Sequence, residues 1–248
     1  MQEKIEIQEK YDKTAQRVEQ VIPNIGDLHT NVSPVMRYFR QRKVKAALEL
    51  AGFGKNDKIL DVGSNMGQYT SMLAGKGFEM VGIDLSGKSI EMAKKNACAL
   101  GLRIDYHQAD VEDLSLFADE SFDGVVSFST LRYVPNLKKA LSEIFRVTRK
   151  GGTAVLDFPN KHCPWFTLMK NKFGVENHVC DHFFTAKGLT TLFGEAGFTG
   201  IETRKIMFTH YTFNPKFLRV YKIIDSIGEH TPLISECAAI IMCKGIKD

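Results

Sequence analysis

The chain has 248 residues, and 44% of them are hydrophobic, which is enough for one sizeable α/β core or for one domain with a small cap. Its 33 basic and 29 acidic residues give a net charge of +4, and the basic residues are spread along the chain, so composition does not indicate a nucleic-acid partner. The first ten residues lack the apolar centre of a signal peptide, no stretch approaches the roughly eighteen apolar residues of a membrane span, and the 5 cysteines include no C-x-x-C pair. We therefore expect a cytoplasmic protein with reduced thiols, no membrane span and no metal site; its oligomeric state is open.

The segment before residue 57 is predicted to form two helices, at about 3–19 and 34–52. Residues 1–56 are therefore expected to be a helical extension that forms a lid, and residues 57–248 the main domain. The densest basic run, at 37–45, is interpreted as a solvated helix face.

From residue 57 to residue 158 the chain alternates predicted strands and helices. The strands are short apolar runs without clean alternation, which is typical of a parallel sheet covered on both faces. Ser86 is a candidate N-cap, and the pair Gly151–Gly152 a candidate stop for a later helix. The alternation predicts a doubly wound α/β sheet. The five strands are expected at 58–63, 78–84, 102–110, 122–129 and 153–158.

After residue 158 the pattern loosens before a helix is predicted at 186–196, with Thr185 as its cap. Two further strands are expected at 201–208 and 236–245. The aromatic stretch at 207–221 is interpreted as core and cavity wall.

Three acidic residues, Asp61, Asp84 and Asp110, each end one of the first three predicted strands. Ligands of such sheets bind at the carboxyl ends of the strands, where these acids would oppose phosphate. The loop from Gly63 to Gly67 breaks the G-x-G-x-x-G spacing of dinucleotide-binding proteins, and it lacks the Gly-Lys-Ser/Thr ending of a P-loop. A nucleoside with a positive centre and no phosphate remains, and S-adenosylmethionine is such a molecule.

The stretch "ILDVGSNMGQYT" resembles the first motif of the class I S-adenosylmethionine-dependent methyltransferases. Asp61, Gly63 and Gly67 match that motif, whereas Asn65 stands where the family has a middle glycine. Four further stretches up to residue 158 resemble the remaining motifs in order. The resemblance implies a mostly parallel seven-stranded sheet with helices on both faces and an antiparallel last strand. It also implies S-adenosylmethionine as the cofactor and methyl transfer by direct displacement.

The resemblance further implies roles for residues at the strand ends. Asp84, with Leu85 beside it, would hold the ribose hydroxyls, and Asp110 and Val111 would meet the adenine. Helix capping is the alternative for Asp84.

The methionine portion would lie against the loop from Gly63 to Gly67 and against Phe128. Asp61 would order the turn or reach the methionine amine through water. Asn65 is expected to adopt a glycine-like, left-handed backbone, which asparagine tolerates better than most residues.

Two residues of the N-terminal segment, Tyr11 and Arg42, are candidates to close over the cofactor, since members of the family often use an aromatic residue and an arginine there. The choice of Arg42 over Arg37 and Arg40 is open, and Tyr11 has simple packing as its alternative.

The acceptor site is expected in an insert at 159–185, where His178 and His182 are candidate general bases. A zinc site and simple packing are the alternatives for this cluster. The stretch "HVCDHFFTAKGL" resembles O-methyltransferases of the ubiquinone-biosynthesis type, which favours an oxygen acceptor. We therefore predict methylation of a small organic molecule; an RNA or protein methyltransferase and a non-catalytic cofactor-binding module are the alternatives.

Overall fold

A computed structural model describes residues 2–21, 32–164, 166 and 182–248. The helices of this part of the chain are α1 (Gln2–Val21), α2 (Pro34–Ala51), α3 (Gln68–Ala74), α4 (Gly87–Ala99), α5 (Leu137–Val147), α6 (Ala186–Glu195) and α7 (Leu218–His230). The strands are β1 (Lys58–Val62), β2 (Glu79–Asp84), β3 (Asp105–Gln108), β4 (Phe122–Ser127), β5 (Thr148–Pro159), β6 (Thr199–Ile206) and β7 (Ile240–Ile246). Short 3-10 helices occur at Leu131–Tyr133, Pro215–Phe217 and Ser235–Cys237.

The strands form a 7-stranded sheet in the order β3-β2-β1-β4-β5-β7-β6. Strands β1 to β5 pair in parallel, and β7 lies antiparallel between β5 and β6. The predicted fold class is confirmed, including the antiparallel last strand. Several boundaries differ from those predicted: β3 and β7 begin later, and β5 begins earlier, at Thr148. Helix α5 accordingly ends at Val147, before the predicted glycine stop, because Thr148 already pairs with Phe122 of β4.

The core lies on both faces of the sheet because successive strand residues face opposite sides. Ile59 belongs to the cluster that packs under α2 and α3, whereas Leu60 belongs to the cluster that packs under α5 and α6. This two-sided burial explains the continuous apolar runs of the sequence.

The interpretation of residues 37–45 as a solvated helix face is wrong for Lys43, which α2 buries completely. Its neighbour Val44 is also buried, and it packs in the core cluster under this helix. A basic run on a helix therefore includes positions on its inner face, since side chains point in all directions around the axis.

Helix α1 packs against α4 through apolar and polar contacts. Ala15 clusters with Met66 and Met92, and the Asp12 carboxylate accepts a hydrogen bond from the amide of Lys88 and one from the Ser86 hydroxyl. This packing holds α1 across the carboxyl ends of the strands. Among the described residues, no helix has both the length and the apolar character that crossing a membrane requires.

Candidate active site

A cavity of about 510 Å³ lies at the carboxyl ends of the strands, beneath α1 and α2. Helix α1 contributes Lys4 and Tyr11 to its lining, and α2 contributes Met36 and Arg40. Eight of the predicted cofactor residues line this cavity: Tyr11, Gly63, Asn65, Asp84, Leu85, Asp110, Val111 and Phe128.

The loop after β1 adopts left-handed backbone conformations at three positions. Gly63 has φ 75°, Asn65 has φ 49° and Gly67 has φ 81°. The expected conformation of Asn65 is therefore confirmed, and its side-chain oxygen accepts a hydrogen bond from the amide of Met66 at 2.7 Å. Gly63 is also required by close approach, because a Cβ there would lie 2.1 Å from the Thr130 hydroxyl oxygen.

The backbone amides of residues 63–67 all donate hydrogen bonds within the protein. Those of residues 63 and 64 reach the carbonyl of Ile83 at 2.8 Å, and that of Asn65 reaches the Asp84 carboxylate at 2.9 Å. The amide of Met66 donates to the side-chain oxygen of Asn65, and that of Gly67 donates to the carbonyl of Ser64. Loops that bind phosphate direct such amides at the ligand, so this loop is not built for a pyrophosphate.

Asp84 lies at the end of β2 with each carboxylate oxygen engaged once. One oxygen accepts from the amide of Asn65 and the other from the amide of Ser86, both at 2.9 Å. Burial raises the pKa of Asp84 to about 6, against the lowering effect of these two bonds. An ionised carboxylate has about four acceptor positions, so Asp84 retains acceptor capacity for a ligand with a pair of hydroxyls.

Asp110 is tied to α1 as well as to its own loop. One of its oxygens accepts from the amide of Glu112 at 2.9 Å, and the other pairs with the Lys4 ammonium at 2.6 Å. Lys4 also pairs with Glu112 at 2.6 Å. The two acids thus anchor α1 over the cavity and keep this end of it negative.

Comparison with known proteins matches residues 60–156 to the family model described as a methyltransferase domain. The chain carries a class I, S-adenosylmethionine-dependent methyltransferase domain.

Two curated relatives are similar to this chain. A ubiquinone biosynthesis O-methyltransferase from Dechloromonas aromatica is 31% identical over 119 residues, which are 48% of this chain and 50% of that protein. The ubiquinone/menaquinone biosynthesis C-methyltransferase UbiE from Geotalea daltonii is 28% identical over 192 residues, which are 75% of this chain and 77% of that protein. The chain thus spans about half the length of the first of these relatives.

A solved structure from Thermotoga maritima, described as a SAM-dependent methyltransferase and possible histamine N-methyltransferase, superposes with a TM-score of 0.64. It is 18% identical and covers 86% of this chain and 91% of its own, a likeness that supports the fold.

Two predicted cofactor residues of the methyltransferase domain, Asp61 and Gly67, lie behind the cavity lining. Asp61 is buried and accepts a hydrogen bond from the Thr70 hydroxyl at 2.6 Å, which ties β1 to α3. Burial raises its pKa to about 7. Gly67 leaves room for the Tyr106 hydroxyl, which would lie 2.4 Å from a Cβ at that position. Of the two roles expected for Asp61, this placement favours ordering of the turn.

The structure does not place Arg42 in the cavity. Its guanidinium pairs with Glu229 of α7, whereas Arg40 lines the cavity. Residues two apart on a helix point about 200° apart, so these two arginines cannot serve the same side. Tyr11 does lie at the cavity, with its ring centroid 6.3 Å from that of Tyr133.

Behind the cavity wall formed by Tyr69 and Phe128 lies a buried charged group, Lys43, whose role was not predicted from the sequence. The ring of Tyr69 stacks on Phe128 with centroids 4.4 Å apart, and the Lys43 ammonium lies 5.3 Å from the centroid of the Tyr69 ring. Lys43 also donates to the Ser129 hydroxyl at 2.6 Å and pairs with Asp157 at the end of β5. Burial alone would lower the pKa of Lys43, but Asp157 and Tyr69 raise it more, so this lysine stays charged. Two features of the sequence could have indicated this pair: Lys43 lies within the basic run at 37–45, and Asp157 lies near the end of the predicted apolar strand at 153–158.

The two candidate bases are not both described by the structure. His178 lies outside the described residues. His182 is exposed, its backbone amide donates to the carbonyl of Arg132 at 3.0 Å, and it does not line the cavity. No histidine occurs among the described residues of the lining.

Proposed function

We propose that this protein transfers the methyl group of S-adenosylmethionine to a small organic acceptor, at an oxygen atom, by direct displacement. The observation that carries the proposal is the distribution of hydrogen-bonding groups in the cavity. The amides of residues 63–67 are engaged internally, while Asp84 and Asp110 present acceptors at the same edge. Such a site suits hydroxyl and amine donors and a nearby positive charge, and it disfavours phosphate.

The nucleoside portion would lie between the ends of β2 and β3. Asp84 would accept from the ribose hydroxyls, beside Leu85. Asp110 would accept from the adenine amine, with Val111 against the ring. All four residues line the cavity, and Asp110 is held in place by Lys4.

The methionine portion would lie along the loop at Gly63 and Asn65 and against Phe128. We assign its carboxylate to Arg40 rather than Arg42, because Arg40 lines the cavity and Arg42 is paired with Glu229. An arginine is suited to this task by its planar set of donors.

The cofactor, when bound, supplies an electrophilic methyl group on a sulfonium. The residues of the chain contribute position and exclusion of water, which supply most of the rate in a displacement that needs no help for its leaving group. Tyr69 and Phe128 form an aromatic wall at the far end of the cavity, and the acceptor would lie there. His178 stays the candidate base for the acceptor proton.

The proposed domain organisation has residues 1–56 as a lid, 57–248 as the methyltransferase domain and 159–185 as an acceptor insert. The positions of Lys4 and Tyr11 over the cavity support the assignment of residues 1–56 as a lid. The names of the two curated relatives, both methyltransferases of ubiquinone biosynthesis, favour a small organic acceptor.

Calorimetry with S-adenosylhomocysteine tests the proposal. The protein should bind it, and Asp84→Ala should weaken binding at least about tenfold, because charge-assisted hydrogen bonds contribute about 1.5–3 kcal/mol each. Asp84→Asn keeps an acceptor for one of the two backbone amides and should lose less. Glu91→Ala, at an exposed acid of α4, is the matched control and should bind normally. Binding of a nicotinamide dinucleotide in place of S-adenosylhomocysteine would refute the proposal.

A further inference from the structure

Helix α7 turns its apolar side outward. Seven large apolar side chains on and beside it are about half or more exposed, from 48% for Ile224 to 86% for Leu233. Single exposed apolar residues are normal in proteins, but a contiguous set on one helix marks an interaction surface. The outer apolar face consists of Phe217, Val220, Ile223, Ile224, Ile227, Leu233 and Ile234.

The polar side of the same helix is fixed inward by its two acidic residues. Asp225 accepts the Tyr38 hydroxyl at 2.9 Å, and together with Glu229 it accepts the backbone amides of residues 207–209. Glu229 also pairs with Arg42. These contacts set the rotation of α7, so the outer apolar face is a fixed feature of the fold.

The exposed charges of α7 itself and of the turn before it are cationic, and the exposed acid beyond it, Glu236, is paired with Lys205. Lys216, Arg219 and Lys222 are exposed around the outer apolar face, whereas both acids of α7 point inward. An apolar helix face bordered by lysine and arginine is the pattern of helices that lie in the interface of an anionic membrane.

We propose that α7 docks the protein peripherally on an anionic lipid bilayer. The 13 residues of α7 span about 20 Å, so the helix would lie along the surface, with its apolar side chains at the boundary of headgroups and acyl chains. A second copy of this chain is a poorer occupant, because a two-fold contact through this face would bring the same three cations together.

The outer apolar face is continuous with the entrance of the cavity. Tyr211 lines the cavity and is partly exposed, with its ring 4.2 Å from that of His210. Further ring contacts lead through Phe213 to Tyr221 of α7, whose centroids are 5.4 Å apart, and from Tyr221 to Phe217 of the outer apolar face at 6.4 Å. Docking through α7 therefore sets the cavity entrance beside the bilayer.

Sedimentation with vesicles tests the docking surface on the full chain. The protein should bind vesicles of mixed phosphatidylcholine and phosphatidylglycerol, and bind pure phosphatidylcholine far less. Ile223→Glu with Ile227→Glu should reduce the partition coefficient more than tenfold, since both apolar side chains lose their place in the interface. Arg219→Glu with Lys222→Glu should reduce it at least about fivefold for each cation. Leu116→Glu, at an equally exposed leucine outside α7, is the control and should bind as the parent does.

All five substituted positions are exposed, so thermal melting should be close to that of the parent protein. Equal vesicle binding by the parent and the Ile223→Glu, Ile227→Glu variant would overturn the proposal, as would absence of binding to the mixed vesicles. A concentration-dependent dimer that this variant dissociates, without vesicle binding by the parent, would show that a second copy covers the face instead.

Discussion

The substitution Asp61→Asn tests how the buried acid behind the glycine loop affects stability. Asp61 is almost completely buried, and burial raises its pKa from 3.8 to about 7. Asparagine has the same shape, and its side-chain oxygen can still accept the hydrogen bond from the Thr70 hydroxyl. The substitution therefore removes a charge while leaving the contact between β1 and α3 in place.

The sign of the effect on stability depends on whether Asp61 ionises at a lower pH in the unfolded chain or in the folded protein. Between about pH 4 and pH 7 Asp61 ionises in the unfolded chain while it stays protonated in the folded protein. The unfolded chain is stabilised over that window, so the folded protein loses free energy of unfolding as the pH rises. The pKa values of Asp61 in the two states differ by about three units, which corresponds to at most about 4 kcal/mol of free energy of unfolding.

Urea unfolding at pH 5 and at pH 8 measures this effect. The free energy of unfolding of Asp61→Asn, relative to the parent, should rise by a few kcal/mol between the two pH values. Any pH-independent cost of burying the amide cancels in that comparison. Glu9→Gln, at an exposed acid of α1, is the control and should show no such change. A relative stability of Asp61→Asn that is the same at both pH values, or lower at pH 8, would refute the reasoning.

Three further sets of substitutions test the loop, the arginines and the buried lysine. Asn65→Ala should lower the free energy of unfolding in urea by about 1–2 kcal/mol, because alanine is strained at φ 49°, whereas Asn65→Gly should lower it less; equal losses would count against the strain account. Arg40→Ala should weaken S-adenosylhomocysteine binding in calorimetry about tenfold while Arg42→Ala leaves it unchanged, and the reverse result would restore Arg42 as the carboxylate ligand. Lys43→Met should cost about 3–5 kcal/mol by leaving Asp157 buried and unpaired, and Asp157→Asn in the same protein should recover most of that loss in urea unfolding; no recovery would contradict the pairing.

The sequence predicted those features that depend on local chemistry. The apolar runs located the central strands, which are buried on both faces of the sheet, and the seven strands of the described residues all overlap a predicted one. The left-handed conformation of Asn65 was predictable because the demand on the backbone comes from the turn itself.

Features that depend on how distant elements meet were not predictable. The choice between Arg40 and Arg42 is set by the rotation of α2 over the sheet, and the pairing of Lys43 with Asp157 joins residues far apart in the chain. Helix α7 was missed for a related reason. Its apolar residues have helical spacing but face outward, so the usual inference from an apolar stripe to a core face does not hold for it.

One pair of acids on α7 explains both why Arg42 lies away from the cavity and why the apolar side of α7 faces outward. Asp225 and Glu229 lie one turn apart, and both need partners because they face the protein. Helix α2 supplies those partners through Tyr38 and Arg42, which takes Arg42 away from the cavity and leaves Arg40 there. With its polar side committed to α2, α7 has only its apolar side to present outward. The wall of the cavity and the outer apolar face are therefore opposite sides of one helix pair, and the contact that fixes the cavity wall also fixes the surface that we assign to the bilayer.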